Sequence, residues 1–384
     1  MRIRRHVIMI AVLMALSCAQ ARTQQPRKVI IDEDAAGPAG TDLQAILVLI
    51  QSPQVDPLGI TVVTGDQWRD EEVDHALRML ELIGRTDIPV VPGAVFPLLR
   101  TIEGTKLWEQ RYGKVSYQGA WTPQWMHPPF VVPPLVEGSP KTKPLREDAA
   151  HFLLRMVHQY PHQVTIFEGG PMTDLALAIS LDPGFARLTQ GLVFMGGSIN
   201  PQAAGSEFAR NPQREFNLWF DPEAAHIVLR APWPSITCTP VDVSIQTLFT
   251  REILGQIARA KTPVARYLAR YAKAGKDYMW DELAAAAWLD PGLIAEEKVL
   301  YLDVDVSHGP GYGNTLAWTR EDRPDTALPP VHVQLKVDAE KFNRFFVHLM
   351  TQPTPRAHRP RQDTAKGQGG MLRPPRPPKH PANP

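Results

Sequence analysis

The chain has 384 residues, with 41 Lys and Arg against 40 Asp and Glu and a formal net charge of +1 at pH 7. So even a balance builds no global field favouring nucleic acid or an anionic membrane, and it points to a small-molecule partner. Cys18 and Cys238 are the only cysteines, so a packed core rather than disulfides must hold the fold.

At the N-terminus, MRIRRH is basic and residues 7–17, VIMIAVLMALS, are apolar but too short to span a bilayer. Ala19-Gln20-Ala21 then fits a small-x-small cleavage site. These features predict a signal peptide over residues 1–21 and export to the periplasm or medium, without a membrane span. Lipoprotein processing at Cys18 is the alternative route and would leave a lipid anchor.

From residue 28 the pattern alternates. KVIID and LGITVVTG read as strands around AILVLI, which Pro53 stops, and VDHALRMLELIG is an amphipathic helix ending at Gly84 before strand IPVVPGA. Residues 98–144 carry Trp108, Trp121, Trp125, Tyr112, Tyr117 and His127 in a stretch too long for an ordinary connection. It reads equally as a lid and as a packing or dimer surface. DAAHFLLRMVHQY leads to strand VTIFEGG, helix MTDLALAISL, strand GLVFMGG, helix DPEAAHIVLRA and strand SITCTPVDV. Residues 352–384, basic and rich in proline, have little to bury and are expected to be a disordered tail.

Strand then helix, repeated across residues 28–350, predicts an α/β fold with a mostly parallel, Rossmann-like central sheet and helices on both faces. Ligands of such sheets bind outside the carboxyl ends of the strands. The stretch VIIDEDAAGPAGTD (29–42), GDQW (65–68) and the Gly pairs at 169–170 and 196–197 all follow strands and should share that rim. Period-two alternation places Asp32 and Asp34 on one side of the first strand end, and the AAGPAG turn can fold Asp42 back toward them. Carboxylates so close repel unless a cation neutralises them, and an all-oxygen set suits Ca²⁺ or Mg²⁺ rather than zinc. The competing reading makes them turn residues, with Asp42 capping the following helix.

Taken in order, the carboxylate strand, LGITVVTGD, EGGPMTDLALAISLDP, LVFMGGSIN, EFNLWFDPEAAHIVL and YMWDELAAAAWLD resemble the inosine/uridine-type nucleoside hydrolases, over about residues 28–350. The resemblance implies one Ca²⁺ at the rim, holding a water and the ribose diol, and a homo-oligomeric enzyme needing no organic cofactor. By matched position, Asp34 is the general base and a metal ligand, with Asp32 beside it in the same strand motif as a further metal residue. Asp42 and Asp281 are further metal aspartates, and Glu168 contributes its backbone carbonyl. Glu215 and Asn217 bind the sugar's far hydroxyls, Met195 lines the ribose pocket and Asn211 assists. Each has a plainer competitor: Glu215 and Asn217 as loop polar residues, Asp281 as a first-turn helix acid, Met195 and Trp280 as core.

Two departures from the family pattern stand out. The link between Asp34 and Asp42 is longer than in Asp-x-Asp-Pro-Gly-x-Asp-Asp, and Thr41 stands where the first paired aspartate grips the ribose 2′-hydroxyl. Another alignment puts Gln44 in a ligand slot. Trp280 replaces the histidine that in many members precedes the late metal aspartate, so Trp280-Asp281 resembles the purine-preferring branch, in which aromatic stacking assists departure of the base. Asp66 then lies near the base and Trp68 is a second wall. The resulting expectation is an exported, Ca²⁺-dependent hydrolase of purine nucleosides. The alternative is a non-catalytic nucleoside or ribosyl-binding protein of the same fold.

Overall fold

The structure is a computed structural model that describes residues 25–201, 211–275 and 277–356. The expected signal peptide, Cys18 and the tail beyond Arg356 lie outside the described residues. The strands are β1 (Arg27–Glu33), β2 (Val55–Val62), β3 (Val90–Pro92), β4 (Val164–Glu168), β5 (Gly191–Met195), β6 (Ile236–Thr239), β7 (Ile294–Val304), β8 (Thr315–Trp318) and β9 (Val331–Val337). They form one sheet in the order β3-β2-β1-β4-β5-β6-β9-β7-β8. Every pairing from β3 through β6 to β9 is parallel, whereas β7 runs antiparallel to both β9 and β8.

The main helices are α1 (Thr41–Gln51), α2 (Arg69–Ile83), α3 (Ile102–Tyr112), α4 (Ala149–Gln159), α5 (Thr173–Leu181), α6 (Phe216–Phe220), α7 (Pro222–Leu229), α8 (Arg251–Ile257), α9 (Pro263–Tyr271), α10 (Trp280–Leu289) and α11 (Ala339–Thr351). Two apolar clusters lie against the sheet. One joins Val29 and Ile31 of β1 to α1, α2 and α8–α11; the other joins Ile30 to α4, α5 and α7. This is the doubly covered sheet that the alternating pattern predicts. The helix end read at Gly84 holds, with α2 stopping there in a left-handed conformation (φ 80°); Asp148 caps α4 by accepting the His151 N–H at 3.1 Å.

Past its polar first turn, from Ala45 to Ile50, helix α1 is apolar on every side because it is buried on every side, packed on the sheet, α10 and α11. Ala284, Ala285 and Ala286 of α10 are fully buried, and their small side chains let the two helices approach closely. The first turns of α1 and α10 consequently meet at the carboxyl edge of the sheet, where Thr41 bonds Glu282. The antiparallel extension has no counterpart in the sequence reading. Half of β7, with the acidic and basic run Glu296-Glu297-Lys298, is exposed, so no apolar alternation announces it.

Candidate active site

Within β1 the two-residue period puts Ile30 and Asp32 on the α4/α5 face and Val29, Ile31 and Glu33 on the α1/α10 face. The strand stops at Glu33. A tight turn, with the Ala36 N–H bonded to the Asp34 carbonyl at 2.6 Å, then swings Asp34 out of the alternation. Glu33, Asp34 and Asp42 each bring a carboxylate oxygen within 4.8 Å of the others, all buried. Asp34 accepts the Asp66 N–H at 2.9 Å and Asp42 the Ala36 N–H at 2.9 Å. Asp281, in the first turn of α10, is buried against the same cluster and lines the same cleft.

Asp32 does not join them, which corrects the expectation that it shares a side with Asp34. Its carboxylate accepts the Thr61 hydroxyl at 2.8 Å and pairs with the Glu168 side chain, because Thr61, Asp32 and Glu168 are register neighbours on three adjacent strands. Glu168 in turn accepts the Gly170 N–H at 3.0 Å, so its side chain points away from the cluster. Trp68 is corrected too. It is buried with Trp121, Trp219 and Phe220, donates its indole N–H to the His127 carbonyl at 2.7 Å, and is not among the residues lining the cleft. Asn211 bonds Asn314 at 2.8 Å and likewise lies outside that lining.

The cleft, about 950 Å³, is lined in part by Met195, Glu215 and Asn217. Glu215 caps α6, accepting N–H bonds from Asn217, Leu218 and Gly197, and Asn217 donates to the Gly169 and Met195 carbonyls at 2.7 and 3.2 Å. The pair thus serves both as a helix cap and as a cleft wall. Trp280, Tyr278, Tyr117, Asp66, Thr41 and Glu282 line the same cleft. Tyr278 meets Trp280 edge-on, centroids 5.0 Å apart, and the Tyr117 phenol bonds the Asp66 carboxylate. Gln44 lines the cleft but spends its amide N–H on the Ala39 carbonyl at 3.0 Å.

Burial raises the carboxyls of Glu33, Asp34, Asp42 and Asp281 well above the usual range, and their mutual repulsion adds to it. Burial also brings Asp66 up to about 6. Among the described residues no Lys, Arg or His forms an ion pair with the four clustered acids. Both oxygens of Glu33 and Oδ1 of Asp281 are buried without a hydrogen bond. An all-oxygen set of crowded carboxylates without a basic partner, with oxygens of Glu33 and Asp281 left unbonded, fits a hard divalent cation. The first turns of α1 and α10, pointing their N–H groups at this edge, also favour negative charge there.

Glu33, Tyr117 and Glu282 were missed as site residues. Alternation counted correctly from Ile31 finds Glu33, whereas Tyr117 reaches the cleft from the long 98–144 segment with no local signal. That segment is pinned down rather than free: Tyr117, Trp125, His127 and Pro133 form part of the cleft wall.

A family model described as inosine-uridine preferring nucleoside hydrolase matches residues 29–344. A protein named probable uridine nucleosidase 2, from Arabidopsis thaliana, is 32% identical over 252 residues, 66% of this chain and 70% of its own length. The inosine-uridine preferring nucleoside hydrolase of Leishmania major is 28% identical over 83% of this chain and 95% of its own. Among solved structures, a purine-preferring ribonucleoside hydrolase from Gardnerella vaginalis superposes with a TM-score of 0.65 at 24% identity, covering 85% of this chain and 98% of that one; the likeness is one of fold. With the match spanning the sheet and every element that bears the cleft, the chain belongs to the inosine-uridine preferring nucleoside hydrolase family and is an N-glycosyl hydrolase.

Proposed function

We propose that the protein is an exported, homo-oligomeric, Ca²⁺-dependent hydrolase that cleaves purine ribonucleosides to free base and ribose. The observation that carries the reading is that Asp34 belongs to an all-oxygen carboxylate cluster and lines the same cleft as Trp280. A divalent cation held by Asp34, Asp42 and Asp281 would supply Lewis acidity, making a nearby water more acidic and giving the ribose diol an anchor.

Asp34, fixed by the Asp66 N–H, takes a proton from the attacking water. The water oxygen bonds to the anomeric carbon while the carbon–nitrogen bond breaks, and the departing base carries off that electron pair and picks up a proton. The surrounding carboxylates stabilise the positive charge that develops on the sugar ring. Glu215 and Asn217 orient the sugar's far end. Trp280 offers a face on which a purine can stack, and its quadrupole favours an electron-poor ring. The named relatives differ in base preference, so purine selection rests on Trp280 alone. The test is reducing-sugar release from a panel of purine and pyrimidine nucleosides, with and without chelator. Release that is fastest from purine nucleosides and stops with chelator supports the reading; chelator-resistant release or a pyrimidine preference contradicts it.

A further inference from the structure

We propose that Glu33 is a direct ligand of the divalent cation, so that four carboxylates, Glu33, Asp34, Asp42 and Asp281, surround it in this chain. The proposal rests on the metal-dependent reading above and deepens it.

Glu33 is fully buried, and neither of its oxygens accepts a hydrogen bond. A carboxylate so placed is costly unless something positive compensates it. No basic side chain among the described residues forms an ion pair with it, and the Asp34 and Asp42 carboxylates lie within 4.8 Å of its own. The fold nevertheless makes room for it. A Cβ on Gly169 would collide with the Glu33 carboxylate, so the residue at 169 gives up its side chain at the point where Glu33 needs space. The strand direction sets the rest: Glu33 is the last residue of β1 and lies on the α1/α10 face, where Asp42 and Asp281 begin their helices. A buried acid with no donor, a cleared space and an oxygen within 4.8 Å of those of Asp34 and Asp42 is a ligand geometry. Four carboxylates around one divalent ion leave a formal excess of two negative charges. That excess faces the sugar, where positive charge develops during glycosidic cleavage.

The experiment is calorimetric titration of chelator-stripped full-length protein with Ca²⁺, comparing wild type with Glu33→Gln, the smaller Glu33→Thr and the control Asp42→Asn. Melting curves with and without Ca²⁺ provide a readout independent of activity. The expected result is a dissociation constant at least tenfold higher in both Glu33 variants. In chelator their melting temperature should equal or exceed that of wild type, because a buried uncompensated charge has been removed. Should Glu33→Gln be unfolded, Glu33→Thr carries the comparison. Gly169→Ala, which pushes into the Glu33 carboxylate, should weaken binding in the same direction. Ca²⁺ affinity within twofold of wild type in the Glu33 variants, with Asp42→Asn impaired, overturns the role of Glu33 and leaves the metal site standing. Failure of wild type itself to bind Ca²⁺, Mg²⁺ or Mn²⁺ overturns the metal-dependent reading and this proposal with it.

Discussion

Thr41 donates its hydroxyl to Glu282 Oε2 at 2.5 Å, joining the first residue of α1 to the third residue of α10 in the wall of the cleft. The acid that the family pattern places at position 41 therefore has a neighbour in this chain on a different helix. Burial raises the Glu282 carboxyl to about 8, and a cation beside Asp281 would pull it back down. Glu282→Gln should reduce the preference for inosine over 2′-deoxyinosine by about tenfold, the gap between a charged and a neutral hydrogen bond. Sequence alone suggests that Thr41→Asp would sharpen that preference. Beside Glu282 it instead sets two carboxylates against each other, and a lowered melting temperature is expected. The ratio of kcat/KM for the two substrates decides between the readings; an unchanged ratio in Glu282→Gln removes Glu282 from the sugar.

Asp34→Asn should lower kcat by about a hundred- to ten-thousandfold, the usual contribution of a positioned general base. The Asn side chain keeps the shape and can still meet the Asp66 backbone, so circular dichroism should be unchanged. Turnover within tenfold of wild type would assign the base to another group.

Trp280→Ala should slow purine hydrolysis about ten- to a hundredfold, taking about 1–3 kcal/mol for a lost base–aromatic contact and converting at about 1.4 kcal/mol per decade. Pyrimidine nucleosides, with less area to stack, should lose less. Equal losses for both classes would mean that Trp280 acts only through the packing of Tyr278 and α10.

Glu81 supplies a pH-dependent clamp far from the cleft. Burial works to raise its carboxyl, but hydrogen bonds from Thr142, Arg78 and Lys141 outweigh it and hold the group down at about 2, against an ordinary value of 4.5. The folded value lies below the unfolded one, so the clamp stabilises fully above about pH 4.5, weakens as pH falls and is lost below about pH 2. Melting temperatures of wild type and Glu81→Gln should therefore differ most near neutrality and converge toward pH 2. A gap independent of pH would show that charge at Glu81 is not what holds residues 141–142.

The strand–helix alternation was legible because buried parallel strands and two-sided helix layers impose periods that survive in the residues. The grouping of Asp34 with Asp42 followed from the carboxylates at the end of the first strand, whereas Glu215, Asn217 and Asp281 were reached only through the family resemblance. Asp32 and Glu33 were exchanged because alternation was extended across the end of β1, where the turn at Asp34–Ala36 breaks the period. Trp68 looked like a pocket wall by its nearness in sequence to Asp66, but α2 begins immediately after it and turns the indole into the aromatic cluster. Glu282 and Tyr117 depend on which distant elements meet, α1 with α10 and the 98–144 segment with Asp66, and no short-range pattern encodes that.

The chain between β3 and α4 is joined to the body at close intervals: Leu98 to Asp221, Arg100 between the rings of Trp219 and Tyr312, Trp108 to Gly309, Ala120 to Gly65, His127 to Glu71, and Thr142 to Glu81. Closure entropy grows with the length between fixed points, so one long excursion becomes a series of short ones, each inexpensive to order. The longest interval of this segment without a hydrogen bond to the body runs from Pro128 to Val136 and is closed by the Arg78 bond to the Glu137 carbonyl; Phe130 meets Phe96 there and Pro133 the cleft, but Phe130, Val131 and Val136 are exposed. Length changes are absorbed where the chain is least tethered. A spacer or affinity tag inserted in that interval should leave the nine-stranded sheet intact, whereas the same insertion at Tyr117 or Ala120 would pry the segment from Asp66 and Gly65.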